Sequence, residues 1–548
     1  MSLFEQIKLL NSQELHSNVN VLASLVLTMS DQSPEMLLPT MKYQILVYYG
    51  ESLYHTKNYR KAESVLRKSL QLKKSMSKAK GKSQGLSPVE MTPEIDVKYQ
   101  IYLCHFQLNQ FNEAISILES IPGRQRTARI NMALAKLYYQ NGMERSAITS
   151  YKEVLKECPL AMQAALGLLA LGVKGAEVAS LMQNGTTTIP NIEWLPSWIK
   201  AFAHLHAREH QNSVATFKQL ENKSLLRDCV DILVALGNAY YCSGDFTNAL
   251  MALEKAHTLD PLGLRGMDLF AAVLAREKKL KELENLSSQL MSVSDVAPEP
   301  WIAMAYFCHA TKKGTRGVYF AQKACLISPR NIEALLLKGF ILMELKRVQD
   351  ALVHFKEAYK IAPYRFEAHK GLVDGYMALG RNREAIVYAS NCCKQLGQTP
   401  RALCLYASVL AKDTLSVEKA KTLLEKALKQ DPIYLDAVYQ IVEIYEQERQ
   451  YQKGIELLKK QAELQSTCRL HQLLGDFLSK INEHEKALHH FSIALNMDPT
   501  NPRALEGAQR VEQHPESLEG SYDVEVEDIG DSETGVSPTT SQLNVSFH

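Results

Sequence analysis

No CxxC pair occurs among the ten cysteines of the 548-residue sequence, and thiols such as Cys104, Cys229, Cys308 and Cys468 lie far apart. Zinc knuckles and thioredoxin-like redox motifs need that close spacing, and the vicinal pair Cys392-Cys393 does not supply it. Free, buried thiols in a reducing compartment are the plain reading. The opening stretch MSLFEQIKLLNSQELHSN has no basic segment followed by an uninterrupted apolar one, which argues against a signal peptide. There is also no run of about 18 apolar residues of the kind that spans a bilayer. A soluble intracellular protein without a membrane partner is expected.

An excess of either charge is missing too. Lys and Arg number 62 against 60 Asp and Glu, a formal net charge of +2. Phosphate backbones are bound by a concentrated basic face, so no nucleic-acid partner is expected. The signatures GxGxxG, GxxxxGK[ST] and HExxH are absent. His484, His489 and His490 fall on one hairpin, but no carboxylate or cysteine stands beside them at ligand spacing. Exposed helix histidines are expected there. The sequence therefore predicts no catalytic residue, no metal, no cofactor and no enzyme.

What is present is a period. From Val230, Leu236-Gly237 is followed by Tyr240, Ala249, Leu253, Ala256 and Pro261. The unit starting at Ile332 fills the same offsets with Gly339, Leu342, Ala351, Phe355, Ala358 and Pro363. The one from Cys468 fills them with Gly475, Leu478, Ala487, Phe491, Ala494 and Pro499, and an intermediate unit carries Trp301, Ala305, Ala321, Ala324 and Pro329. This is the tetratricopeptide pattern of about 34 residues, two helices to a unit. Small residues belong where the paired backbones come closest, because a larger side chain there would force the helices apart. The aromatics fill between neighbouring units, and the prolines stop the second helix. Glycines after Ser243 and Leu379 suit the ends of first helices. Further units begin near Ala128, Phe366, Arg401 and Leu435, and weaker ones near Tyr43, Ile95, Met162 and Trp194, with a degenerate pair before residue 40. The expected fold is all-α, a superhelical solenoid of about fourteen helix-hairpin repeats.

The organisation that follows runs from N-terminal repeats over 1–160 to irregular repeats over 161–229, then a regular superhelix over 230–500 and a capping helix over 501–513. A flexible basic insertion is expected at 73–94, where KKSMSKAKGKSQGLSPVEMTPE carries five lysines between Lys73 and Lys82. Residues 514–548 are expected to form a disordered acidic tail, since nine acids fall between Glu512 and Glu533 with no basic residue after Arg510. Ser87 and Thr92 in the insertion and Ser537 in the tail each precede proline and are candidate phosphorylation sites.

First helices line the concave side of a repeat array. The positions corresponding to such a groove in two units are Glu333, Leu336, Phe340 and Met343, then Glu367, Lys370 and Asp374. One lysine among acids and apolar groups does not make a clamp for a terminal carboxylate. Two readings stay open: an apolar groove for a helix or an extended chain, and simple packing within the array.

Several runs resemble one family beyond the general repeat. They are TMKYQILVYYGESLYHTKNYRKA from Thr40, IPGRQRTARINMALAKLYYQ from Ile121, TSYKEVLKECPLA from Thr149, KGAEVAS from Lys174, LLKGFILMELKRVQDALVHFKEA from Leu336, AKTLLEKAL from Ala420 and LHQLLGDFL from Leu470. In order from about His16 to Gly507 they resemble the subunit-seven family of the anaphase-promoting complex, or cyclosome. That resemblance implies a non-catalytic scaffold in a multi-subunit E3 ubiquitin ligase that controls mitotic progression and exit. It further implies a homodimer through the N-terminal repeats, stacking on neighbouring tetratricopeptide-repeat subunits and small accessory subunits, support of coactivator and substrate, and residence in nucleus and cytoplasm with spindle association in mitosis. The competing reading is a free-standing repeat adaptor, of co-chaperone or trafficking type, that captures client peptides. An enzyme built on a repeat support would need a catalytic domain, and no segment outside the repeats is long enough.

Overall fold

The computed structural model of the chain describes residues 2–79, 91–183, 189–223, 226–413 and 415–513. Among these residues the structure is helical, running from helix Leu3–Ser12 to helix Pro502–Gln513. Consecutive helices pair as hairpins, for example Val230–Ser243 with Phe246–Leu259 and Ile332–Glu344 with Val348–Ile361. Fourteen such pairs are completed by Pro502–Gln513, which packs on the last hairpin. The tetratricopeptide-repeat solenoid expected from the period is the fold observed. The chain divides into two compact units, Met1–Gly371 and Leu372–His548.

The steric rule of the repeat is visible atom by atom. A Cβ built on Gly339 would come within 2.5 Å of the Phe355 ring, and one on Gly371 would also strike that ring. Phe355 is therefore held between a glycine of its own hairpin and a glycine of the next helix, fully buried. In the second unit Phe491 sits between Gly475 and Gly507 in the same way. Gly237 serves Leu253 likewise, with a built Cβ at 2.6 Å. Tyr240 and the alanines Ala249, Ala256, Ala351, Ala358, Ala487 and Ala494 are buried. Trp301 is half-buried, and its indole N–H donates to the Asp295 carbonyl at 2.9 Å. Pro261, Pro363 and Pro499 each follow a second helix by two residues, as a helix stop should.

The turns inside the hairpins are left-handed whether or not glycine is present. Gly244 and Gly380 take the left-handed conformation as predicted. In most other hairpins that position is held by Lys57, Asn109, Arg208, Lys278, Lys312, Lys346, Arg449 or Asn482, all with positive φ. Turn hydrogen bonds such as Lys346 N to the Met343 carbonyl, 3.0 Å, hold these residues there against their intrinsic preference.

Two sequence-based assignments change. Helix Tyr59–Ala79 carries Lys73 and Lys74, so the first part of the presumed loop is the end of a helix whose apolar face stays in register. Residues 80–90, Ser87 among them, and the tail from 514, Ser537 among them, lie outside the described residues. His490 is half-buried, not exposed: its ring stacks on His471 with centroids 5.3 Å apart, and the two Nδ1 atoms are 3.1 Å apart. His489 is exposed and His484 half-buried. All ten cysteines are free thiols; Cys104, Cys308, Cys392 and Cys404 are buried, whereas Cys158 is exposed. Among the described residues no helix is long and apolar enough to cross a membrane.

Candidate functional site

The richest chemistry of the first unit lies where its first helices begin. Asp231, Asp268, Glu299, Glu333 and Glu367 each occupy the first turn of one of five successive first helices. A carboxylate is favoured there by the unpaired backbone N–H groups and the positive end of the helix dipole. Stacking the repeats turns that local preference into a column of acids lining one face.

Arg365, on the turn before helix Phe366–Ala378, is the cation that this column encloses. It pairs with Glu333, and its Nε donates to Glu367 at 3.2 Å. The Tyr306 hydroxyl donates to the second oxygen of Glu333 at 3.2 Å, and the guanidinium lies 5.1 Å from the Tyr241 ring centre. Glu333 and Arg365 are 4% and 7% exposed. Burial alone pulls the guanidinium down, but the two carboxylates beside it hold its pKa well above the ordinary value. Burial pushes the Glu333 carboxyl up against the opposing pull of Arg365. A buried pair of this kind costs desolvation, and removing one partner alone leaves an uncompensated buried charge.

Two neighbouring cavities, of about 270 Å³ and 480 Å³, open beside this cluster and share Leu205, His206, Asn238, Asp268 and Leu269. Burial pushes Asp268 up to about 6, and Glu299 moves in the same direction for the same reason. His206 is pushed down to about 4 by burial and then by Arg208. Arg208, Tyr364 and Arg365 border the smaller cavity, Tyr139, Tyr151 and Glu299 the larger. Arg208 lies over the Tyr364 ring, 3.1 Å from its centre, so the hairpin of Arg208 touches a segment far along the chain. The face combines aromatic walls with half-buried carboxylates, and among the described residues it holds no nucleophile oriented by a base. It is suited to recognising a chain, or to gripping its own repeats. Among the described residues no three His, Cys, Asp or Glu side chains converge as metal ligands.

The residues singled out as a candidate groove are not equivalent. Leu336 is buried, while Phe340 and Met343 are half-buried, with the Phe340 ring centre 5.1 Å from that of Phe355. Lys370 is exposed, as is Asp374 of the second unit. Asp268, Glu299 and Arg365 were not singled out from sequence, although their first-turn position was available as a signal. Thr92 is half-buried and well held: Gln44 Nε2 donates to its hydroxyl oxygen at 2.8 Å, and Tyr43 and Lys73 donate to its carbonyl at 2.8 and 2.9 Å.

No protein-family model matches the chain. A human protein named anaphase-promoting complex subunit 7 is 43% identical over 543 residues, covering 98% of this chain and 96% of its own length. The chain belongs to the anaphase-promoting complex subunit 7 family. The Arabidopsis thaliana protein of the same name is 26% identical over 535 residues, covering 94% of this chain and 95% of its own. A solved structure described as the crystal structure of the APC/C hetero-tetramer Cut9-Hcn1 has a fold similar to this subunit 7 family member. Its TM-score is 0.59 at 16% identity, over 93% of this chain and 96% of that one. Within this family member the run Arg124-Gln125-Arg126 has a structural role. It forms a short 3₁₀ turn from which Arg126 donates to the carbonyls of Ile121, at 2.8 Å, and Glu119, at 3.0 Å.

Proposed function

We propose that this scaffold subunit of the anaphase-promoting complex works without catalysing anything itself, by pairing with a second copy through its N-terminal repeats and stacking on neighbouring repeat subunits. The observation that carries the reading is an apolar stripe on the first two helices. Val21, Leu25 and Met29 follow one another at helical spacing on helix His16–Gln32, with Val21 64% and Leu25 58% exposed. Leu3, Leu9, Leu15 and Leu38 add exposed apolar surface nearby in the chain. A contiguous apolar face of this kind is what a permanent interface covers. The Cut9-Hcn1 neighbour is a hetero-tetramer by its description, which supports assembly of this chain with other repeat subunits; contact with small accessory subunits is part of the same proposal. In this reading the arc of repeats supports coactivator and substrate while other subunits carry the chemistry, and the protein works in nucleus and cytoplasm with spindle association in mitosis.

Light scattering on the full chain tests the self-pairing. The wild type is expected to run as a dimer, and V21E/L25E as a folded monomer with unchanged helical signal. A wild type that stays monomeric at micromolar concentration, or a double variant that stays dimeric, overturns it.

A further inference from the structure

The hairpin made of helices Pro298–Ala310 and Gly314–Ile327 has an unusual charge pattern. From Trp301 to Arg330 the sequence contains no Asp or Glu, yet it carries Lys312, Lys313, Arg316, Lys323 and Arg330. Beside its turn opens a groove of about 570 Å³. Met304, Phe307, Cys308 and Phe320 form the apolar part of its lining, and Lys313 and Arg316 the charged part. Thr315 and Tyr319 complete it, Tyr319 being 56% exposed with its ring edge-on to Phe320 at 5.5 Å.

Tyr319 also borders a second cavity of about 530 Å³, lined by Val318, Lys338, Arg347 and Val353. The one carboxylate among the residues lining either cavity, Asp350, is already paired with Arg347 at 2.6 Å. Lys313 and Arg316 are exposed, and neither has a carboxylate partner among the described residues. An exposed aromatic ring in a groove is an anchor point for a partner side chain. Two unpaired cations at its edge favour negative charge beside that anchor.

We infer that this face docks an acidic peptide segment of a partner protein. One aromatic or aliphatic residue of the segment seats against Phe307, Tyr319 and Phe320, and flanking Asp or Glu residues meet Lys313 and Arg316. A nucleic acid fits less well. Phosphate backbones are held by cations repeated along a stripe, whereas two face this groove and the whole chain is close to neutral. This contact is separate from the N-terminal pairing proposed above and holds whether or not that pairing does.

Fluorescence anisotropy on the full chain tests it. The probes are nine-residue peptides in which one Phe, Tyr or Leu is flanked by Glu and Asp. Matched controls replace the central residue by Ala or the acids by Lys, and a single-stranded RNA of nine nucleotides is run beside them. Saturable binding of the acidic peptides is expected, and the K313E/R316E and Tyr319→Ala variants are each expected to weaken it by about tenfold or more, roughly 1.4 kcal/mol. The charge-neutral K313Q/R316Q variant should fall between them and the wild type, and serves if the reversed variant fails to fold. The inference is overturned if no acidic peptide binds below about 1 mM, roughly −4 kcal/mol. Binding indifferent to these variants, or tighter binding of the RNA, overturns it equally.

Discussion

Arg330 donates from Nη1 to the main-chain carbonyl of Gln140 at 3.2 Å, although 190 residues separate the two along the chain. Gln140 ends helix Ala128–Gln140, where the last carbonyls have no partner further along the helix and the dipole presents its negative end. The same guanidinium lies 5.7 Å from the Tyr139 ring centre. With Arg208 over Tyr364 and Arg365 near Tyr241, it brings distant repeats of the first unit face to face.

Replacing Arg330 by Ala should therefore act locally. The expected cost is about 0.5–1.5 kcal/mol, the usual worth of one hydrogen bond. Hydrogen exchange should rise at the turn following Gln140 and stay unchanged in the second unit. Unchanged exchange at that turn would mean that the contact does not hold the seam.

Arg365 should matter far more. Arg365→Ala leaves Glu333 buried and unpaired, which costs about 3–5 kcal/mol. The double variant R365M/E333Q removes both charges and should recover most of that loss. Urea unfolding followed by circular dichroism separates the two. A double variant as unstable as the single one would show that packing, not charge, is at stake.

The buried acids and histidines give opposite pH dependences. The Asp268 carboxyl sits at about 6 in the folded chain against an ordinary 3.8, so its contribution to stability is lost as pH rises between those values. His206 and His490, both at about 4 against an ordinary 6.5, contribute stability that is lost as pH falls through the same interval. The two trends offset one another in the wild type. Asp268→Asn removes the first, and should raise stability by roughly 2–3 kcal/mol at pH 7 and by close to nothing at pH 4. A gain that is equal at both pH values would assign the effect to packing.

Gly339→Ala should cost about 1–3 kcal/mol, because the added methyl drives into the Phe355 ring. Phe355→Leu in the same chain frees that space and should return part of the loss. If the two changes simply add, the residues are not coupled and the steric account fails.

The hairpins, their proline stops and the small residues at helix crossings were legible because one steric demand recurs at a fixed offset in unit after unit. The acid column was legible only in part. Glu333 and Glu367 fall in register, whereas the spacing to Asp268 on either side departs from the period and hides it. The left-handed turns were legible only at Gly244 and Gly380, because glycine is not required at the others. A single exposed residue such as Lys346 tolerates positive φ when the turn closes its hydrogen bonds. The burial of His490 depends on His471 across the hairpin. The contact of Arg330 with Gln140 depends on how far each repeat rotates against the last, which no local pattern records.

A ring clasped by glycines from two successive repeats belongs to neither of them alone. Phe355 completes its socket only when the helix carrying Gly371 arrives, and Phe491 only when Gly507 does. The heritable module of this chain is thus a seam rather than a hairpin. At these two seams the ring and its second glycine have to be inherited together, and a shift of a single residue between them breaks the socket.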